Sequence, residues 1–423
     1  MVVTIVVLLI LAGVTISLLL DENGIIKKSK DARREYGQAK ANEQEDLSNL
    51  SDMIDEATAE PTPKVNVNTK AGDNSTINGK KGNANNPTIP AGYIPINTET
   101  SNWGNGKDAP SKDSVKHGLV IKDEQNNEWV WVPVPDVTVM CDTLNNTEYT
   151  LCGTTGETAV KTKLYSKSGI ISGKTRTTPG NTSDFREPEL VVGSHGTGDD
   201  AKDTYYKTIL GDTGTKEQLA QLFADEYKAM IESVSKYGGF YIGRYELSKA
   251  GVQKDKATLT KTNWYNLYKK CKELNASDKV KTQMIWGCQW DVTMNWLISS
   301  GAKTSDEVNK NSSTWGNYRN YNTANNYTEG TAGYEKNAGS PQNTGSSENW
   351  KANNIYDLAG NVDEWTQEAN DTYNRASRGG DCYGGGSGDP ASYRYYIVPV
   401  GSDYVDLRFS SHFNNKVALN ARA

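Results

Sequence analysis

Five cysteines and three histidines are the residues whose side chains could bind a metal or carry out redox chemistry. They are Cys141, Cys152, Cys271, Cys288, Cys382, His117, His195 and His412. No two cysteines form a CxxC pair and the histidines lie far apart, so the spacing indicates neither a zinc finger nor a redox dithiol. Cys141 and Cys152 enclose DTLNNTEYTL, which is either a disulfide-closed hairpin or a loop with two free thiols. Spacing does not distinguish these two alternatives.

The length, charge and composition of the chain limit which fold can position a functional site. It has 423 residues, with 46 Lys plus Arg against 52 Asp plus Glu. Two structural units are therefore expected, and no basic field is available to hold phosphate backbones, which excludes nucleic acid as a partner. The chain is low in long aliphatic residues but has 10 Trp and 23 Tyr. This composition predicts a loop-rich fold with an aromatic core.

An uncharged apolar run from Val2 to Leu20 has the length that a helix needs to cross a membrane. It predicts a transmembrane helix, with a buried core helix as the alternative. The basic segment KKSKDARR follows at residues 27–34. By the positive-inside rule, these charges alone would hold that end of the helix in the cytoplasm.

The segment TIVVLLILAGVTISLLLDENGIIKKSKDAR nevertheless resembles the N-terminal helix of type IV pilin-like proteins, whose polar half lies outside the cytoplasm. The resemblance implies a bacterial membrane anchor, with the rest of the chain at the cell surface. The family's basic leader, cleavage glycine and helix glutamate are not matched, which leaves the true start and prepilin processing open. A narrow apolar stripe from Tyr36 to Ala57 continues the helix, so residues 1–58 are predicted to form the anchor and stalk.

Residues 59–90 follow the predicted stalk and are rich in Pro, Asn, Gly and Lys. This composition predicts a flexible linker. Beyond it, GLVIKD, EWVWVPVPD and GGFYIGRYELS have the pattern of strands, while MIWGCQWDVTMNWL and residues 218–236 have that of helices.

Three segments in the C-terminal part, GGFYIGRYELS, NIYDLAGNVDEW and SRGGDCY, occur in this order. Together they resemble the formylglycine-generating-enzyme-like domain, also called the sulfatase-modifying factor domain, which has the C-type-lectin fold. The resemblance implies an α+β, loop-rich domain over residues 91–423, with 137–225 as an unmatched insertion.

The catalytic chemistry of that family is not matched. Its enzymes use two cysteines after the arginine-glycine-glycine turn to bind copper(I), a metal that suits soft thiolates. Here the family positions fall on Gly384 and Asp389, and only Cys382 lies near the turn. An oxidase acting on a substrate cysteine is therefore an alternative that needs a second thiolate, such as Cys271 or Cys288.

A calcium site is implied by the same resemblance. The family positions that bind Ca²⁺ correspond to Asp357, Gly360, Val362 and Glu364. Two carboxylates and two backbone carbonyls in a tight turn form an oxygen-rich shell of the kind that Ca²⁺ prefers. The alternative is that the two carboxylates only cap the turn.

Residues 381–413 are dense in Tyr, Gly, Ser and Asp. Such a composition is typical of binding surfaces, because Tyr gives large contact area and Ser, Gly and Asp adapt their hydrogen bonds. Ordinary edge strands with packed tyrosines are the alternative. The candidate ligand-binding residues are Asp381, Tyr383, Ser387, Asp389, Tyr393, Tyr395, Tyr396, Asp403 and Tyr404. Trp315, Tyr318, Tyr321, Tyr327 and Tyr334 could add a second aromatic surface or belong to a solvated loop.

The same segment contains no Lys, Glu, Gln, Met, Trp or Asn. The first five of these cannot arise from an asparagine codon by replacing only its two adenines, whereas every residue of the segment can. Diversity-generating retroelements replace adenines in this way at the C-terminal ends of C-type-lectin-fold proteins, so the segment resembles the variable region of such a protein.

These observations predict a membrane-anchored protein, displayed at the bacterial cell surface, that binds a protein or glycan on another surface. Calcium is its expected cofactor, in a structural role, and the membrane is contacted through the N-terminal helix. The alternatives are a formylglycine-generating-type oxidase and a minor pilin-like subunit that takes part in pilin-type assembly.

Overall fold

A computed structural model describes residues 62–96, 115–140, 148–151, 156–163, 185, 187–191, 207–260, 262–274, 279–319, 340–370, 374–399, 413–414 and 417–421. These residues belong to one compact unit, Thr62–Ala423. The predicted anchor and stalk over residues 1–58 lie outside the described residues. Within the described part, no helix combines the length and the apolar character that a membrane crossing requires.

Short strands and a few helices make up the unit. The strands are β1 (Ile94–Ile96), β2 (Val120–Lys122), β3 (Glu128–Pro133), β4 (Glu148–Thr150), β5 (Lys161–Lys163), β6 (Gly239–Gly243), β7 (Val280–Met284), β8 (Lys351–Ala352), β9 (Ile355–Tyr356), β10 (Asp363–Ala369), β11 (Arg375–Arg378), β12 (Arg394–Ile397), β13 (Phe413–Asn414) and β14 (Val417–Ala421). The α-helices are α1 (Lys207–Leu210), α2 (Lys216–Tyr237), α3 (Trp264–Glu273), α4 (Gly287–Ser299) and α5 (Ser305–Asn309). The 3-10 helices are Val137–Val139, Gly156–Thr158 and Glu348–Trp350.

The strands form two larger sheets and two hairpins. A six-stranded sheet has the order β1-β2-β3-β6-β14-β7, with every neighbouring pair antiparallel. A four-stranded sheet has the order β12-β11-β10-β13, in which only β10 and β13 pair in parallel. The mixture of helices with largely antiparallel sheets confirms the α+β class, and the finer assignment to the C-type-lectin fold stays a prediction.

Helix α2 shows how the sequence dictates local structure. Thr215 caps its first turn by accepting a hydrogen bond from the backbone N–H of Gln218, whose side chain in return accepts from the backbone N–H of Thr215. The helix ends at Gly238, where φ is +74°, a conformation that glycine adopts without strain. Leu219 and Tyr227 are among the side chains that α2 buries. The predicted helix over residues 218–236 is thus confirmed.

The core is aromatic, as the composition predicts. Buried side chains on the two faces of the six-stranded sheet form two clusters. The tryptophans among them are Trp129, Trp131, Trp264, Trp286, Trp290, Trp296, Trp315 and Trp365. Several ring pairs meet edge to face, as Tyr227 and Trp286 do with centroids 4.8 Å apart, an arrangement that the ring quadrupoles favour.

Residues 62–90 do not form the flexible linker predicted over 59–90, and that prediction is corrected. Val65 and Ile89 are buried in the same cluster as Trp129. The Trp131 indole N–H donates to the Ala84 carbonyl at 3.0 Å, and the Tyr241 hydroxyl donates to the Thr88 carbonyl at 3.0 Å. Scattered apolar side chains and side-chain donors from the sheet therefore hold a segment whose average composition is polar.

Candidate functional site

The tyrosine-rich segment begins at a double-glycine turn after β11. Gly379 and Gly380 have φ of +89° and +73°, a region that residues with a side chain rarely adopt. A Cβ on Gly380 would lie only 2.4 Å from the carbonyl oxygen of Asp389. The turn therefore needs glycine both for its backbone conformation and for the close approach of the returning chain.

A loop over residues 381–389, called here the display loop, follows the turn and is held by a carboxylate. Asp381 Oδ1 accepts from the backbone N–H groups of Tyr383 at 3.0 Å and Gly384 at 2.8 Å. A Cβ on Gly384 would lie 2.4 Å from Asp389 Oδ2 and 3.4 Å from Asp381 Oδ1. Two predicted binding residues, Asp381 and Asp389, thus flank Gly384, and Asp381 fixes the backbone of the loop.

Tyr383 and Ser387 lie on the exposed side of the display loop. Tyr383 is 38% exposed, whereas most aromatic residues in the described ranges are buried. Partial burial, helped by Cys382 and Asp381, raises the pKa of its hydroxyl, so Tyr383 is an uncharged hydrogen-bonding group at neutral pH. Ser387 is exposed as well. An aromatic ring and a hydroxyl on a fixed backbone can contact a partner with little loss of entropy.

The remaining predicted tyrosines follow on and beside β12, an edge strand of the four-stranded sheet. The Tyr393 ring is 3% exposed and contributes to packing, so as placed it offers almost no surface to a ligand. Tyr395 and Tyr396 are partly exposed. The ring of Tyr395 stacks on those of Tyr393 and Tyr396, with centroids 6.4 and 5.9 Å apart. The structure therefore joins the three rings in one row, while Asp403 and Tyr404 lie outside the described residues.

The second aromatic surface is not formed by the residues that can be assessed. Trp315 and Tyr318 are buried, and the Tyr318 hydroxyl donates to the Gly379 carbonyl at 2.7 Å. Tyr318 thus supports the double-glycine turn from the protein interior. Tyr321, Tyr327 and Tyr334 lie outside the described residues.

The four predicted calcium ligands lie in a buried turn over residues 357–364, called here the buried turn. Asp357 and Glu364 are 1% and 0% exposed, and Asp357 Oδ2 accepts from the Gly345 N–H at 2.7 Å. Gly360, with φ of +68°, donates its N–H to the Gly379 carbonyl at 3.0 Å. Val362 is fully buried. Two buried carboxylates in one turn match the hard oxygen donors that Ca²⁺ takes.

No larger metal centre accompanies this turn. Over the described ranges, no group of three or more His, Cys, Asp or Glu side chains is placed to hold a metal ion. Calcium at the buried turn would therefore rely on backbone carbonyls beside the two carboxylates.

Three cysteines lie among the described residues, and each is a free, buried thiol: Cys271, Cys288 and Cys382. Cys141 and Cys152 lie outside the described residues. Burial is the main cause that raises the pKa of all three, so few thiolates are present at neutral pH. Cys288 lies 3.6 Å from the Tyr227 hydroxyl, whereas the acidic neighbours of Cys382 include Asp381. This arrangement does not favour the oxidase alternative.

Charged residues that the sequence analysis did not single out lie behind β12. Arg378 and Arg394 contact Asp291 of α4 and Glu368 of β10 in the protein interior. A signal for them exists in the sequence, since an acidic residue interrupts the apolar helix MIWGCQWDVTMNWL and an arginine interrupts ASYRYY. Their pairing could not be foreseen, because Asp291 and Arg394 are 103 residues apart.

Comparisons with known proteins return little. No protein-family model matches the sequence. No curated protein matches it either. Among solved structures, the chain is similar to Treponema denticola variable protein 1, with 14% identity and a TM-score of 0.28, over 43% of this chain and 85% of that chain. A similarity of this size carries no argument about fold or function.

Proposed function

We propose that this protein is a ligand-binding protein displayed at the bacterial cell surface, anchored in the membrane through Val2 to Leu20. Its C-terminal domain has the C-type-lectin fold of the formylglycine-generating-enzyme-like group and binds a protein or glycan on another surface. It acts by binding, without catalysis. The contact residues are those of the display loop and of β12.

The observation that carries this proposal is the geometry of the display loop. Tyr383 is exposed, and two hydrogen bonds to Asp381 hold the backbone beside it. The close approach of Gly380 to Asp389 holds the two ends of the loop together. An exposed aromatic ring is costly to leave in water and gains contact area when a partner covers it. A fixed backbone loses little entropy on binding, so this loop has the properties of a preorganised contact surface.

Diversification of residues 381–413 extends the proposal. The segment mixes exposed positions, such as Tyr383 and Ser387, with buried ones, such as Cys382 and Ser392. Replacement of exposed residues would change the ligand without changing the core. The genomic test is a second, non-coding copy of this coding region beside a reverse-transcriptase gene, and the lack of one would remove diversification from the proposal.

Calcium at the buried turn is proposed as a structural cofactor. Asp357 and Glu364 would supply the carboxylates and the backbone of Gly360 and Val362 the carbonyls. The ion would neutralise two buried negative charges beside the double-glycine turn, and in this way it would stiffen the support of the display loop.

The direct test is a screen of the full chain against arrays of glycans and of surface proteins, with and without Ca²⁺. Variants Tyr383→Ala and Tyr395→Ala are screened alongside, with Tyr237→Ala at the end of α2 as the matched control. We expect the wild-type chain to bind a ligand on the arrays. The affinity for that ligand should fall at least about tenfold in Tyr383→Ala and Tyr395→Ala, which is the loss typical of aromatic contact residues.

Two outcomes would count against this function. One is binding that Tyr237→Ala and Tyr383→Ala reduce equally, which would mean that the display loop is not the contact surface. The other is an absence of binding together with copper-dependent oxidation of a cysteine peptide, which would establish the oxidase alternative.

A further inference from the structure

Strand β12 carries, next to its two partly exposed tyrosines, an arginine that points into the protein. Arg394 is 11% exposed, and its Nε donates to Glu368 Oε2 at 3.0 Å. Its Nη2 contacts Asp291 Oδ2. The partners belong to α4 and β10, so the side chain ties the edge strand to two elements of the interior.

A second arginine shares both of these carboxylates. Arg378, on the neighbouring strand β11, is fully buried, and its Nη2 lies 2.7 Å from Asp291 Oδ1. Its Nη1 lies 3.8 Å from Glu368 Oε2. Arg378 also donates to the carbonyls of Ser392 at 3.2 Å and Tyr393 at 3.1 Å, directly before β12. Hydrogen bonds and ion pairs thus hold the chain from Ser392, two residues before β12, to Arg394, the first residue of the strand.

A third buried carboxylate faces this cluster. Glu187 Oε2 and Oε1 accept from the backbone N–H groups of Gly287 at 2.8 Å and Cys288 at 2.7 Å, at the start of α4. A carboxylate is favoured at a helix N-terminus. Glu187 is also close enough to Glu368 for the two carboxylates to repel each other.

The charges of the cluster balance in only one protonation state of Glu187. Asp291, Glu368 and an ionised Glu187 give three negative charges against the two guanidinium groups. An uncompensated charge in the interior is unfavourable, so a proton on Glu187 restores the balance. Burial, followed by repulsion from Glu368, raises the pKa of Glu187 to about 8.

An ion cluster of this kind is a poor source of stability. Well-packed apolar side chains at the same places would serve as well or better, and buried ionic groups are best understood where they fix one arrangement among several. Here the arrangement they could fix is the position of an edge strand. An edge strand has one hydrogen-bonded neighbour and needs further restraints if its side chains are to stay in place.

We propose that Arg394 is a positioning residue that fixes β12, and with it Tyr395 and Tyr396, against Asp291 and Glu368, and that protonation of Glu187 sets the pH range in which this restraint holds. The inference deepens the proposed function, because it assigns a regulation to the same tyrosine surface. It concerns the free protein and can be tested without any ligand.

The groups that face Glu187 and its cluster come from five elements. They are Cys288 and Asp291 of α4, Glu368 of β10, Arg378 of β11, Arg394 of β12 and, through its contact with Cys288, Tyr227 of α2. The ring of Phe185 lies 5.5 Å from the Arg394 guanidinium.

Glu187 binds more protons in the folded than in the unfolded chain between its ordinary pKa and about 8. The stabilisation that this proton contributes to the cluster is therefore fully present below the ordinary pKa of the carboxyl group and is lost as the pH rises through about 8, which weakens the restraint on β12.

The test is hydrogen exchange of the full chain, followed by mass spectrometry of peptides that cover residues 392–399. Protection factors are used, because they remove the intrinsic pH dependence of exchange. Arg394→Met should lower protection of β12 at least about tenfold at pH 6 with α2 unchanged, since local opening reports local restraints. Arg394→Lys, which keeps the charge, should restore most of that loss. Lys254→Met, at a surface ion pair with Glu348, is the control and should leave β12 unchanged.

The pH arm compares the wild-type chain with Glu187→Gln at pH 6 and pH 9. We expect wild-type protection of β12 to fall about tenfold at pH 9 and that of Glu187→Gln to change less than about twofold. Equal pH dependence in both proteins, or none in the wild type, overturns the assignment of Glu187. Protection of β12 within about twofold of wild type in Arg394→Met, or a loss spread evenly over α2 and the six-stranded sheet, overturns the positioning role. Because no ligand takes part, failure here is distinguishable from failure of the array screen.

Discussion

The buried turn over residues 357–364 and the display loop over 381–389 are alike in composition and opposite in placement. Both contain aspartate and glycine at short spacing. They touch where the Cys382 N–H donates to the Asn361 carbonyl, and the Gly360 N–H donates to the carbonyl of Gly379, just before the display loop. The first turn is buried except at Asp363, which is partly exposed, whereas Tyr383 of the second is the more accessible for contact. Under the proposed function, the buried turn would set the geometry and the display loop would make the contacts.

A substitution that strains the buried turn should have the largest effect. In Gly360→Ala, the new Cβ would lie 2.3 Å from the Asn317 carbonyl oxygen, in a backbone with φ of +68°. We expect a loss of about 2–4 kcal/mol in the free energy of unfolding, measured by urea denaturation of the full chain.

Gly385→Ala in the display loop is the matched control. Its Cβ would meet only the Arg319 carbonyl oxygen at 3.8 Å, an ordinary contact. We expect a change within about 0.5 kcal/mol. Equal destabilisation by the two substitutions would remove the distinction between a rigid support and a tolerant surface.

Calcium should bind at the buried turn and not at the display loop. Saturating Ca²⁺ is expected to stabilise the wild-type chain by about 1–3 kcal/mol, because the ion binds only the folded state. Glu364→Gln should abolish the rise in Tm, measured by thermal denaturation in Ca²⁺ and in a chelator. Asp389→Asn should retain the rise, and its loss in this variant would place the ion at the display loop instead.

Asp381→Ala tests whether the display loop is preorganised. The substitution removes the acceptor of two backbone N–H groups, and water can replace it only in part. We expect a loss of about 1 kcal/mol in stability. Hydrogen exchange should increase at residues 383–384 and stay unchanged in the buried turn. Faster exchange in both segments would mean that they open as one unit.

Tyr383→Ala should have the smallest effect on stability and a large one on binding. The ring is partly exposed, so its removal is expected to change the free energy of unfolding by less than about 0.5 kcal/mol. Denaturation and binding are measured on the same preparation. A larger loss of stability would show that Tyr383 is a packing residue and would weaken its assignment as a contact.

The local elements could be predicted from the sequence, because their signals lie within one segment. The capping residues and apolar spacing of α2 indicate a helix, and the short apolar run in EWVWVPVPD indicates β3. The prediction of a flexible linker over residues 59–90 was wrong for residues 62–90, for a related reason. Composition averages over a segment, whereas single residues such as Val65 and Ile89 decide whether it packs.

The candidate site could be predicted only in outline. The composition of residues 381–413 indicated a contact segment, but composition gives no order of burial along the chain, so it could not separate exposed Tyr383 from buried Tyr393. The cluster of Asp291, Glu368 and Arg394 depends on contacts between distant segments, which periodicity and spacing do not contain.

The position of β14 has a consequence for coding changes in the tyrosine-rich segment. This strand follows the tyrosine-rich segment in the chain and pairs on both sides, with β6 and with β7, inside the six-stranded sheet. A frameshift anywhere in residues 381–413 would replace its sequence and leave two strands without their shared neighbour. If the segment is diversified as proposed, folding would select for an intact reading frame: single-residue replacements would leave β14 in place, and insertions or deletions of one nucleotide would remove it.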